Sequence, residues 1–214
     1  MALLVQFLMR LTFGLALGML ITSPKLVTSG FFRNHLYVTL GLSALAALLC
    51  FSVVPSTLWY AVAAAGCSYL GAMYWLFEKR GPGKLMLLLV AIASLMGAVL
   101  QPSYQQRKSD VVTNSTERDS VETESTSSDV LNQAAVVSSG LLLGMTMAAM
   151  LLGHWYLNSP TMDLIPLRRL LLVMGIAVGL QTLLSAWGLW GEISQTQVTL
   201  QLSLIHISEP TRPY

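Results

Sequence analysis

Charge is what this sequence has least of. Only 10% of its 214 residues are Asp, Glu, Lys or Arg, against about a quarter in soluble domains. Over half, 54%, are hydrophobic and the mean hydropathy is positive, which excludes an ordinary water-soluble globule. The net charge of +2 is scattered and forms no basic stripe, so nucleic acid is not an expected partner. Cysteine is almost as scarce. Cys50 and Cys67 fall in different apolar segments at depths that differ by roughly 9 Å at the rise of a helix. A disulfide needs alpha carbons within about 7 Å, so both are read as small apolar filler.

Catalytic signatures are missing as well. There is no Ser-His-Asp order, no H-E-x-x-H pair and no C-x-x-C. Gly81-Pro82-Gly83-Lys84 lacks the spacing of a phosphate loop, with Leu85 where a hydroxyl is required, and is read as a short turn. Acidic residues are nearly absent from the apolar segments, which leaves hydrolytic or metal-dependent chemistry little to work with; no catalytic residue and no metal site is expected.

What the chain does have is six apolar stretches of roughly twenty residues, the length that crosses a bilayer's hydrocarbon as a helix. They are Leu3 to Thr22, Leu36 to Val54, Leu58 to Phe77, Leu85 to Leu100, Gln133 to Leu157 and Leu170 to Trp190. Lipid offers backbone amides no partner, so each is expected to be helical. The expected fold is an all-α, polytopic transmembrane bundle with six spans. The first stretch lacks the basic leader and short apolar core of a secretory signal and is read as a retained helix.

Loops 23–35, 78–84 and 158–169 then share one face, which carries Lys25, Arg33, Lys79, Arg80, Lys84, Arg168 and Arg169. The other face has Arg107, Lys108 and Arg118, with Arg10 as a fourth when counted. The excess of basic residues predicts that the first face is cytoplasmic and the N-terminus outside, in a multi-pass protein of a cell inner membrane. Residues 101–132, with SVETESTSSD at their centre, have little to bury and are expected to be a disordered acidic linker. It would join a four-helix bundle, 1–100, to two further helices, 133–201. Asn114-Ser115-Thr116 fits a glycosylation acceptor, a tripeptide too common to carry weight.

Two internal likenesses compete. Thr22-Ser23-Pro24, with Arg33 nine residues after the proline, parallels Asn158-Ser159-Pro160, with Arg169 nine residues after its proline. That match would make the chain a truncated four-plus-four helix repeat. Gly14-Leu-Ala-Leu-Gly18-Met19 parallels Gly140-Leu-Leu-Leu-Gly144-Met145 in a register ten residues different, so one of the two is coincidence. The segment Leu202 to Arg212 resembles the translation of a transposase adapter used in DNA sequencing libraries. Residues 202–214 are therefore set aside and the natural sequence is expected to diverge after Gln201.

Small residues four apart mark helix faces that approach closely in lipid: Gly14 and Gly18, Gly140 and Gly144, Gly175 and Gly179, and Ala63, Cys67 and Gly71. They fit packing within the chain and equally a homo-oligomer or other membrane subunits. The most chemically suggestive run is Gly153 to Pro160, with His154, Trp155 and Tyr156. With His35, Arg33 and Arg169 on the same face, it makes a candidate cofactor or substrate site. Two facing histidines would suit a b-type haem, a polar cluster would suit proton or quinone handling, and the aromatics equally suit interfacial anchoring. Arg10 lies inside the first apolar stretch, where it either reaches back to the surface or pairs within the bundle; Glu192 is the candidate partner. The reading that emerges is a non-enzymatic membrane component, a small-solute transporter or a subunit of a membrane assembly. The alternative is a haem- or quinone-handling redox protein using His35 and His154.

Overall fold

The computed structural model describes the backbone of residues 1–53, 55–100, 122–158 and 163–208, and side chains over 1–52, 55–100, 133–157, 163–190 and 193. It holds six helices: α1 (Ala2–Ile21), α2 (Ser29–Val53), α3 (Pro55–Leu76), α4 (Arg80–Val99), α5 (Glu122–Asn158) and α6 (Ile165–Ser208). There is no strand among the described residues. Five of the six contain stretches long and apolar enough to cross a membrane: Ala2–Ile21, Ser29–Ser52, Arg80–Val99, Gln133–Leu157 and Ile165–Trp190. The third expected span, α3, is long enough at 22 residues but is diluted by Ser56, Thr57, Tyr60, Ser68, Tyr69 and Tyr74.

Helices begin earlier than their apolar runs. Ser29 to Asn34, Arg80 to Lys84 and Ile165 to Arg169 are all helical, so the first two connections shrink from 23–35 and 78–84 to 22–28 and 77–79, and the third, 158–169, gives up Ile165 to Arg169 to α6; its residues 159–162 lie outside the described residues. Gly81-Pro82-Gly83-Lys84, read as a turn, belongs to the start of α4. Hydrophobicity marks only the apolar part of a helix, whereas helix propagation costs little once a helix has formed. The same effect carries α5 back to Glu122, into the segment expected to be a linker; residues 101–121 lie outside the described residues. The turn after α3 is a Schellman closure: the Lys79 amide donates to the Tyr74 carbonyl (3.0 Å) and the Glu78 amide to that of Trp75 (3.3 Å). Glu78 holds the left-handed conformation this requires, φ 56°, where glycine is the usual choice. Proline opens α3, a first helical position whose amide would lack a partner anyway.

Helices α1 to α4 close a ring in which α1 touches both α2 and α4, and α3 lies between α2 and α4. Helix α5 packs along α1, and α6 along α5. The α1–α5 pair is parallel: Arg10 meets Ser139, Gly14 lies at Gly140 and Gly144, and Gly18 at Ala148. Helix α4 runs the other way, since its Gly97 meets Met9 and Thr57 while its Gly83 meets Trp75. Connections 22–28 and 77–79, the end of α5 and the start of α6 are therefore at one end of the molecule, the end with Lys25, Arg33, Lys79, Arg80, Lys84, Arg168 and Arg169.

The α1–α5 crossing is the tightest contact in the fold. A β-carbon on Gly14 would stand 2.0 Å from the Gly140 carbonyl oxygen, and one on Gly144 would stand 2.0 Å from the Gly14 carbonyl carbon. Only glycine fits, because a backbone cannot step aside as a flexible side chain can. The core continues from this crossing without a break: Leu15 and Met19 of α1, Phe31, Phe32 and Leu36 of α2, Trp75 of α3, Leu87 of α4, Met145 and Leu152 of α5 and Leu170 of α6 form one buried cluster. Buried hydroxyls are satisfied by the carbonyl one turn back in their own helix: Thr12 to Leu8 (2.8 Å), Ser43 to Thr39 (2.7 Å), Ser68 to Ala64 (2.8 Å) and Ser94 to Val90 (2.6 Å). This pairs these four donors inside an apolar bundle; the buried Thr57 hydroxyl has no such partner.

Candidate functional site

Besides the buried Thr57 hydroxyl, two polar features stand out among the described residues. The first is an aromatic nest around His35, in the second turn of α2. Its imidazole is 4% exposed. Nδ1 lies 2.6 Å from the Phe31 carbonyl oxygen; a carbonyl only accepts, so in the neutral ring Nδ1 carries the proton and Nε2 keeps its lone pair. Nε2 is buried and has no hydrogen-bond partner, as are the indole Nε1 groups of Trp75 and Trp155. A buried polar atom left unpaired costs about 1–3 kcal/mol.

The rings explain how this cost is tolerated. Phe31 covers the imidazole at a centroid distance of 3.9 Å, meets Phe32 edge-on at 5.5 Å and approaches Trp155 at 6.1 Å. Phe32 stacks on Trp75 at 4.2 Å with the planes 7° apart. Gly83 leaves room for the Trp75 indole, whose Nε1 would be 2.7 Å from a β-carbon there, whereas a β-carbon on Gly30 would be in ordinary contact with Trp155 at 3.7 Å. Of the residues expected to form a site, His35 and Trp155 are thus joined through Phe31. His154 is exposed on the other side of α5, so the two imidazoles do not share a pocket. Arg33 is half-buried and Arg169 exposed. The Tyr156 hydroxyl donates to the Asp163 carbonyl across the α5–α6 connection. Phe31, Phe32 and Trp75 carry no motif; the adjacent aromatic pair four residues before a histidine was the one signal in the sequence.

The second feature is a polar layer across three helices. Arg10 stands about 12 Å of helix rise from the start of α1, and its Nη1 donates to Ser139 Oγ at 3.1 Å. The guanidinium is half-buried against α5 and its Nε lacks a partner. Next to it in α5, the Ser138 hydroxyl donates to Gln181 Oε1 of α6. Side-chain hydrogen bonds of this kind tie one apolar helix to the next. Glu192 lies eleven residues beyond Gln181, about 16 Å further along the helix, and its side chain is outside the described residues.

The small-residue faces divide. Gly14, Gly18, Gly140 and Gly144 are buried against each other's helices, and Gly71 lies against Leu36 and Met86. Ala63 is exposed and Cys67 half-buried. A β-carbon on Gly175 or Gly179 would meet nothing within 4 Å. Among the described residues no group of three or more His, Cys, Asp or Glu is placed to hold a metal ion. The chain matches no protein-family model, no curated protein and no solved structure.

Proposed function

We propose that this chain is a six-span protein of a cell inner membrane that acts without catalysis, as a subunit of a membrane assembly, and that α6 is the helix it offers to its partner. The observation that carries the reading is the uneven use of the helices. Within its candidate span α1 is 56% buried and α6 only 11%. Outward from α6 stand Leu172, Ile176, Leu183, Trp187 and Trp190. Gly175, Gly179, Thr182 and Ala186, all exposed, recur at intervals of four, three and four residues down one side. That spacing keeps them on one face, of the kind that α1 and α5 use for each other.

Helix α3 is taken as the sixth span because it lies between α2 and α4, both of them candidate spans, and its length of 22 residues corresponds to about 33 Å. The basic end, with connections 22–28 and 77–79, is then cytoplasmic by the positive-inside rule. Two like segments, 14–19 and 140–145, facing each other in parallel also fit a duplication about an axis along the membrane normal. A second reading, solute transport, is favoured by one observation, the Arg10–Ser139 and Ser138–Gln181 layer, because an ionisable side chain at membrane depth commonly marks a pathway.

The test is the state of the protein in its membrane. Alkaline washing should leave the chain in the membrane pellet. Cross-linking there, followed by extraction in a mild detergent, should give a complex larger than the 23.3 kDa chain. Replacing Gly175 and Gly179 by Leu should release the monomer with its melting unchanged. A wild-type chain that is monomeric after cross-linking, or a double variant that keeps its complex, would overturn the assembly reading.

A further inference from the structure

We infer that the basic end of the bundle carries a binding site for a phosphate-bearing anion, set to receive the headgroup of an anionic lipid. The inference rests on the membrane reading above and is independent of the assembly reading. A cavity of about 360 Å³ opens between the α1–α2 connection and the α3–α4 turn, lined by Pro24, Lys25, Thr28, Ser29, Glu78 and Arg80 among others. Its lining has two cationic residues against one acidic residue, with two hydroxyl residues beside them. Among the described residues Lys25, Glu78 and Arg80 form no ion pair, and the two cations exceed the one carboxylate in the lining. A guanidinium offers a planar fork suited to phosphate oxygens, and an ammonium a mobile point charge beside it.

Position favours a lipid over a solute. The cavity lies between the last residue of one candidate span, Ile21, and the first residues of two others, Ser29 and Arg80, which is the depth of the headgroups by construction. Leu76 and Phe77, which immediately precede the cavity's Glu78, are 47% and 64% exposed, and Leu85 beyond Arg80 is 54% exposed. An amphiphile with its phosphate in the cavity would thus find apolar surface beside it for its chains. The rest of that end adds Arg33, Lys79, Lys84, Arg168 and Arg169 against Asp163, a field that draws anionic headgroups.

The experiment uses the full chain, first shown to stay in the membrane pellet after alkaline washing. A chain that washes off fails the membrane reading before this one is tested. The purified protein in a neutral detergent is titrated with dioctanoyl phosphatidate, dioctanoyl phosphatidylcholine and inorganic phosphate, with lipid adducts counted by native mass spectrometry. Phosphatidate should saturate at one per chain, and Lys25→Gln with Arg80→Gln should weaken it at least tenfold. Lys84→Gln, a basic residue outside the cavity, should change it less than twofold, with melting unchanged in every variant. Displacement of phosphatidate by millimolar inorganic phosphate would assign the site to the free anion. Failure of phosphate to displace it would assign the site to the lipid. Equal binding of phosphatidylcholine, a double variant that binds as the wild type does, or a Lys84→Gln variant that loses as much as the double variant, overturns the site.

Discussion

The α1–α5 crossing and the outer side of α6 are made of the same material and put to opposite use. Both present glycines four residues apart on apolar helices. At the crossing the backbones are so close that a β-carbon on Gly14 or Gly144 would stand 2.0 Å from backbone atoms of the facing helix. On α6, Gly175 and Gly179 face open space. The difference lies in what surrounds the glycines. At the crossing Leu15, Met19, Met145 and Leu152 extend the contact into the common core, whereas on α6 the neighbouring Ile176, Leu183 and Trp187 are each at least 70% exposed. A small-residue face is thus only an invitation to pack, and it is the flanking large side chains that show whether the invitation has been taken up.

The comparison can be broken most forcefully at the crossing itself. Gly14→Leu places a branched side chain where there is no room for a methyl group, and should destabilise the bundle by about 3 kcal/mol or more. Thermal melting in detergent and the yield of monodisperse protein would show it; normal values for both would remove the crossing from its central place. A smaller loss, about 1.5–2 kcal/mol, is expected from Ser139→Ala, which leaves the Arg10 guanidinium without the hydroxyl it donates to on α5. The same substitution at Ser138 cuts the tie to Gln181 on α6. It should cost only about 0.6 kcal/mol, the average for a hydrogen bond between membrane helices. A Ser138→Ala loss exceeding that of Ser139→Ala, read from unfolding in the same detergent, would mean that α6 is held more firmly than its exposure indicates. Smallest of all, Gly175→Ala should leave the melting curve within about 0.5 kcal/mol of wild type, as substitutions away from packed features usually do.

The apolar segments match, in order, the six helices of the described residues, five of which are long and apolar enough to cross a membrane. They misplace the helix ends because a helix continues past its apolar run: Arg80 to Lys84 are polar or turn-prone and helical nonetheless. Gly14, Gly18, Gly140 and Gly144 were legible as packing residues. Their mutual pairing was not, since helix spacing reveals a face but not what lies against it. Segments 14–19 and 140–145, alike in sequence, prove to be partners in space. The aromatic nest was half legible. His35 and Trp155 meet through Phe31, but His154, one residue before Trp155, points the other way, since neighbours on a helix are about 100° apart. Arg10 could be read either as reaching for the surface or as pairing inside; Ser139 decides the direction, and nothing in its local sequence marks it.

The most direct test is to melt two single variants side by side in one detergent, Gly144→Leu and Gly179→Leu, with the mass of each complex recorded before heating. The account predicts that Gly144→Leu loses on the order of 10 °C, at roughly 3 °C per kcal/mol for a chain of this size, or fails to fold. Gly179→Leu should melt within about 2 °C of wild type while its complex falls to the single chain. Equal losses of stability in both variants, or a Gly144→Leu protein that melts normally, would contradict it.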